Sequence, residues 1–159
     1  MTTTAGMMLR YRADLGCCDL VVRATANGRG RVRTDSTLAS ALLSQLGSDR
    51  RADATDNLPN AIALLPAQGG GAFSRRGWPG DMLLPTGTRQ GSRLWLLSRG
   101  KASETDRVAA IGYAAEAVAP VAQWSCETIQ TTATWLRAGI LQVTATVSGV
   151  SITVPAGSA

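Results

Sequence analysis

The chain has 159 residues, 45% of them apolar and 17% charged, with a net charge of +5. That length suits one domain with a sizeable core, and that balance excludes bulk disorder, which needs low hydrophobicity and high charge. No apolar run approaches the roughly 18 residues of a membrane span. Histidine is absent, which excludes a Ser-His-Asp or Cys-His catalytic set.

With seven aromatic residues (four Trp, two Tyr, one Phe), the core has to be built from Ala, Val and Leu. The opening MTTTAGMMLRYR lacks the charged-then-apolar order of a secretion signal. A soluble protein made in a cytoplasm is expected, with residues 1–16 as an N-terminal extension, 17–155 as a single domain and 156–159 as a tail. Residues 17–24, CCDLVVRA, read as a strand with Cys18, Leu20 and Val22 on one face. Adjacent Cys17 and Cys18 point to opposite faces and make poor disulfide partners. With Cys126 they read as buried thiols. NGRGRVR, 27–33, reads as a turn or loop.

TDSTLASALLSQLG, 34–47, reads as a helix capped by Asp35 or Ser36. Leu38, Leu42 and Leu46, beside Ala39 and Leu43, form its buried stripe, and Gly47 ends it. Residues 48–90 read as one long irregular loop, of the kind that is usually functional. Its Gly69–Gly71 run lacks the Lys-Ser/Thr of a phosphate loop and reads as a hinge. GSRLWLLSRGK, 91–101, reads as a second helix with Leu94, Trp95 and Leu97 inward and Arg93 and Arg99 outward. A third runs over 103–120, with Ser103 and Asp106 at capping-box spacing, Val108, Ile111, Ala115 and Val118 as its buried stripe, and Pro120 as its stop.

The remainder alternates as strands: 125–135, then 139–148 with Leu141, Val143, Ala145 and Val147 on one face, then Val150, Ile152 and Val154. LRAG is the hairpin turn between the first two. Beyond Glu127 only Arg137 is charged. A tail without protective edge charges is either covered within the fold or pairs with another chain. The expected class is α+β, with about three helices packed on a small, mostly antiparallel sheet made by the N-terminal strand and the C-terminal hairpin.

Acid/base catalysis needs carboxylates held together at one substrate. Asp49, Asp53 and Asp56 are close in sequence but sit beside Arg50 and Arg51, which reads as a self-neutralised segment. Glu104 and Asp106 belong to a helix first turn, where the helix dipole explains them. Glu116 lacks an evident partner carboxylate. No enzyme, cofactor or metal site is expected. Arg75, Arg76 and Trp78 have two readings. In one, Trp78 plugs the core edge and the arginines cap helix ends or pair with Asp81. In the other, SRRGWPGDM is a docking loop anchored by residue types that dominate interface hot spots.

Four stretches in order carry a resemblance: LASALLSQLGSDRRA (38–52), RRGWPGD (75–81), GSRLWLLSRGK (91–101) and YAAEAVAPV (113–121). Together they resemble the Mu-type phage baseplate wedge proteins, a family related to the small wedge protein of T-even phages and its type VI secretion counterpart. The resemblance implies a virion protein of a contractile tail baseplate, assembled in the host cytoplasm. It would join wedge subunits near the tube and initiate the sheath within a sixfold assembly. The implied partners are other baseplate wedge subunits, the tail sheath protein and the tail tube, with no membrane. On this reading the partner-binding residues are Arg75, Arg76, Trp78, Asp81, Arg93, Trp95 and Arg99, with Leu141, Val143 and Val147 on the strands. VAPVAQW departs from the Glu-Pro-Arg motif of the related proteins, Pro79 replaces a bulky residue, and PAQGGGAFS is a local elongation. The rival readings are a nucleic-acid-binding module using the six arginines from Arg10 to Arg33, and, last, a cell-wall hydrolase.

Overall fold

The computed structural model describes residues 6–12, 14–15, 17–25, 28–59, 75–99, 102–137 and 139–156, with Arg99 described by its backbone only. The Gly69–Gly71 hinge and the middle of the 48–90 loop lie outside these residues. The class is α+β, but the expected three helices on one sheet are not what forms. Among the described residues there are two α-helices, and the strands fall into four small antiparallel sheets.

Six short strands lie between Gly6 and Asp35. They are β1 (Gly6–Met7), β2 (Leu9–Arg12), β3 (Cys17–Leu20), β4 (Val22–Ala24), β5 (Gly30–Val32) and β6 (Thr34–Asp35). They pair as β1–β6, β2–β3 and β4–β5. The segment read as one strand over 17–24 is thus divided at Val21. Of Cys18, Leu20 and Val22, only Cys18 packs against the core, and Leu20 and Val22 are exposed. The segment read as a loop over 27–33 supplies β5. Cys17 and Cys126 are exposed free thiols, which corrects the expectation of three buried ones.

Helix α1 (Ala39–Gly47) begins five residues later than expected, because Thr34 and Asp35 are spent in β6. Neither Asp35 nor Ser36 is the cap residue, since Leu38 holds that position without a side-chain bond, but Asp35 reaches the first turn from β6. Its carboxylate accepts hydrogen bonds from the amides of Thr37 (2.9 Å) and Ser40 (3.1 Å) and from both hydroxyls. Burial opposes that charge, but the four donors outweigh it and lower the Asp35 pKa to about 2. Leu42, Leu43 and Leu46 face the core.

Helix α2 (Glu104–Ser125) starts at the expected cap, with Ser103 Oγ accepting the Asp106 amide at 3.1 Å. It does not stop at Pro120. It runs on to Cys126, whose left-handed backbone donates its amide to the Ala122 carbonyl. A proline inside a helix costs about 3 kcal/mol, and burial of Ala117, Val118 and Val121 on either side offsets that cost. The buried stripe is Ala110, Ala114, Ala117, Val118 and Val121, and Val108 and Ala115 are exposed. The helix is apolar nearly all round, so spacing alone could not set its phase. Packing against α1 and the C-terminal sheet did.

The expected helix over 91–101 is only a 3-10 helix, Leu94–Arg99. Its would-be first turn is committed elsewhere. The Ser92 amide bonds to the Ser48 carbonyl (2.8 Å) and the Arg50 amide to the Ser92 carbonyl (2.9 Å), a parallel bridge that a helix could not share. The last sheet, β7 (Gln130–Arg137), β8 (Ile140–Val147) and β9 (Val150–Ala156), has β8 in the centre. Ala133, Leu141, Val143, Ala145, Val147, Val154 and Ala156 point inward onto the helices. No helix among the described residues is long and apolar enough to cross a membrane.

Candidate functional site

The RRGWPGD stretch ends in a short 3-10 helix, Pro79–Leu83, with Pro79 at its start. Its root is tied to the segment after α1. The Ala52 amide bonds to the Arg75 carbonyl (2.9 Å), and the Arg75 guanidinium donates to the Asp53 and Ala54 carbonyls. Arg76 donates to Asp49 at 2.7 Å and lies 4.7 Å over the Trp95 ring. Gly77, at φ 99°, backs so closely onto Arg51 that a Cβ there would sit 2.6 Å from the Arg51 Cβ. The Trp78 ring folds over Gly80, where a Cβ would lie 2.3 Å from it. Gly77 is demanded by its positive φ and by its close approach to Arg51, whereas at Gly80 only the half-exposed Trp78 ring would have to shift. Asp81 accepts the Gln90 amide at 3.0 Å, and Gln90 reaches Gln45 (3.0 Å) and Ser44 (2.8 Å) on α1. The second Asp81 oxygen is buried without a partner among the described residues.

Below this root lies an arginine–carboxylate network. Arg93 bonds to Glu116 (2.8 and 3.0 Å), Asp53 (3.0 Å) and Asp56 (3.1 Å), and its guanidinium stands 4.9 Å from the Tyr113 ring. Burial works against the Arg93 charge, but its bonds to Asp56 and Glu116 hold its pKa above the ordinary value. Arg50 reaches Glu116 at 3.2 Å and Arg89 reaches Asp53 at 2.9 Å. Trp95 donates its indole N–H to the Arg50 carbonyl at 2.9 Å.

Set against expectation, Arg75 and Arg76 hold residues 49–54 and do not pair with Asp81. Arg93 faces inward, since three carboxylates wait for it there. The neutralisation of Asp49, Asp53 and Asp56 comes from Arg76, Arg89 and Arg93, not from adjacent Arg50 and Arg51. The Arg99 side chain lies outside the described residues. Leu141, Val143 and Val147 are buried in the core, so a partner meeting these strands would touch backbone and not these side chains. The structure brings Arg76 and Trp95 together, puts Arg93 in the carboxylate network and leaves Trp78 half-exposed. Beside Trp78 stand Met82 and Leu83, 85% and 82% exposed, which sequence reasoning passed over. A non-periodic Met-Leu-Leu directly after Gly-Asp was the available signal.

Phage protein GP46 is the family that matches residues 38–156. The chain belongs to that family. The match takes in α1, the pinned loop, α2 and the C-terminal sheet, and it leaves out strands β1–β6. Over 99 residues the chain is 39% identical to baseplate protein gp46 of Escherichia phage Mu. That alignment covers 58% of this chain and 60% of the Mu protein, less than two thirds of the relative's length. The family is thus the Mu-type baseplate one, whose place is the tail of the virion.

Proposed function

We propose that this protein is a structural component of a contractile tail baseplate, joining wedge subunits near the tube and initiating the sheath. The observation that carries this is the Trp78–Leu83 loop. Three large apolar side chains stand in solvent on a root tied by the Arg75, Arg76 and Asp81 side chains, with Arg76 lying over Trp95. An apolar patch that is held rigid before binding loses little entropy on docking. A wedge subunit is its intended partner. Among the described residues the outer strands β7 and β9 each leave one edge of the sheet open, and an added strand from the sheath protein would complete either by main-chain hydrogen bonds. No catalytic step enters this role.

Met82→Ser with Leu83→Ser tests it. Phage carrying both substitutions should yield tails that lack an ordered baseplate or sheath while the free protein unfolds normally. Averaged images of intact tails should place the loop against a wedge arm. Normal tails from the double variant would remove the loop from the interface.

A further inference from the structure

The six N-terminal strands meet at a three-way junction. The Met8 amide bonds to the Arg33 carbonyl (2.8 Å), the Arg33 amide to Val21 (2.8 Å) and the Val21 amide to Met8 (3.0 Å), a closed ring of three main-chain bonds. From it the pairs β1–β6, β2–β3 and β4–β5 diverge. The β2–β3 arm lies on α1, where the Leu9 amide bonds to Ser40 Oγ at 3.0 Å. The β4–β5 arm differs, because every residue of both strands is exposed.

Its two faces have opposite chemistry. Arg23 and Arg31 are direct cross-strand partners on one face. Val22 and Val32 are partners on the other, 59% and 43% exposed. Like charges directly opposite destabilise a ladder, and a lone two-stranded hairpin is marginal in water. No acidic residue occurs in the sequence between Asp19 and Asp35. Among the described residues neither Arg23 nor Arg31 forms an ion pair. The arm therefore carries a like-charge pair that no carboxylate among the described residues neutralises.

We propose that the β4–β5 hairpin is a docking arm whose paired arginines receive an acidic segment of a neighbouring protein subunit. Two guanidiniums on adjacent strands suit two carboxylates of an extended chain, and each can bind a carboxylate through its planar fork. The charge selects an anion, and the rest of the arm selects protein over nucleic acid. No aromatic residue lies between Tyr11 and Phe73 to stack a base. The exposed valine pair offers apolar contact that a phosphate backbone does not use. Because the arm precedes residue 38, it is separate from the span shared with the family. The proposal rests on the assembly reading only for the source of the acidic segment.

The test uses the full chain with a fluorescent poly-L-glutamate peptide, a duplex DNA of matched charge, and anisotropy titration at low salt. Arg23→Thr with Arg31→Thr should weaken peptide binding about tenfold or more. Arg10→Gln with Arg137→Gln, which removes the same charge elsewhere, should stay within about twofold. Hydrogen exchange at the hairpin amides should slow in the threonine variant, because threonine favours strands and the repulsion is gone. Weaker binding by a better-ordered arm separates docking from folding. Equal losses in both variants, tighter binding of the DNA than of the peptide, or an arm-dependent dimer of the free protein would each overturn the proposal. The peptide assay needs no baseplate, so its failure leaves the assembly role standing.

Discussion

Replacing Arg93 tests whether the network beneath the loop holds the fold. Its side chain is 17% exposed, and that of Asp56 is 12% exposed. In Arg93→Gln the other carboxylates keep a cation, since Glu116 retains Arg50 and Asp53 retains Arg89. Asp56 does not. It keeps only the Asp53 amide, at 2.7 Å, among its described partners. Breaking a fully buried pair costs about 3–5 kcal/mol, and the partial exposure of Glu116 and Asp53 brings the figure here to about 2–3 kcal/mol. Arg93→Lys keeps the charge but loses the fork that spans Glu116 and Asp56, for about 1–2 kcal/mol. Urea unfolding is the assay. With a slope of about 2 kcal/mol per molar, the midpoint should fall by about 1–1.5 M in Arg93→Gln. Adding Asp56→Asn should recover at least ~1 kcal/mol, a coupling expected of groups in one network. A loss below ~0.5 kcal/mol in Arg93→Gln, or a coupling near zero, would refute the reasoning.

Other outcomes follow from single contacts. Gly77→Ala should lose about 2–3 kcal/mol, more than Gly87→Ala. Both have positive φ, but only Gly77 is backed by Arg51, so equal losses in chemical denaturation would discount the clash. Asp35 has a folded pKa of about 2 against an ordinary 3.8. A lowered carboxyl pKa gives stability that is full above 3.8 and lost as pH falls towards 2. Asp35→Asn should therefore flatten the acid limb of the stability curve across that window, and cost about 1 kcal/mol at neutral pH through the weakened bonds to the first turn. An unchanged acid limb would point to other carboxyls. Met82→Ser with Leu83→Ser should leave the unfolding midpoint within ~0.5 kcal/mol of the parent, and a larger drop would mean that the patch belongs to the fold.

Local rules made some elements readable. The Ser103 cap, the leucine stripe of α1 and the alternation of β8 each depend on neighbours within a few residues, and each appears where its spacing puts it. The loop after Arg75 was legible as unusual because Gly, Trp and Pro are costly to place together without reason. Its chemistry was not legible. Arg93 bonds to Glu116 across 23 positions and Arg76 to Asp49 across 27. Charge pairs of that separation leave no periodic trace.

The sequence by itself determined the α+β class, the core composition and the inward face of the last strands. These follow from side-chain chemistry and short-range backbone sterics. The tertiary structure alone decided the phase of α2 and its passage through Pro120, where packing outweighed propensity. It also decided the loss of a helix at 91–101, where the Ser92 amide and carbonyl were claimed by Ser48 and Arg50 of a distant segment. The division of the N-terminus into three arms came from the same source, because strand pairing is settled by partners that the local sequence does not contain.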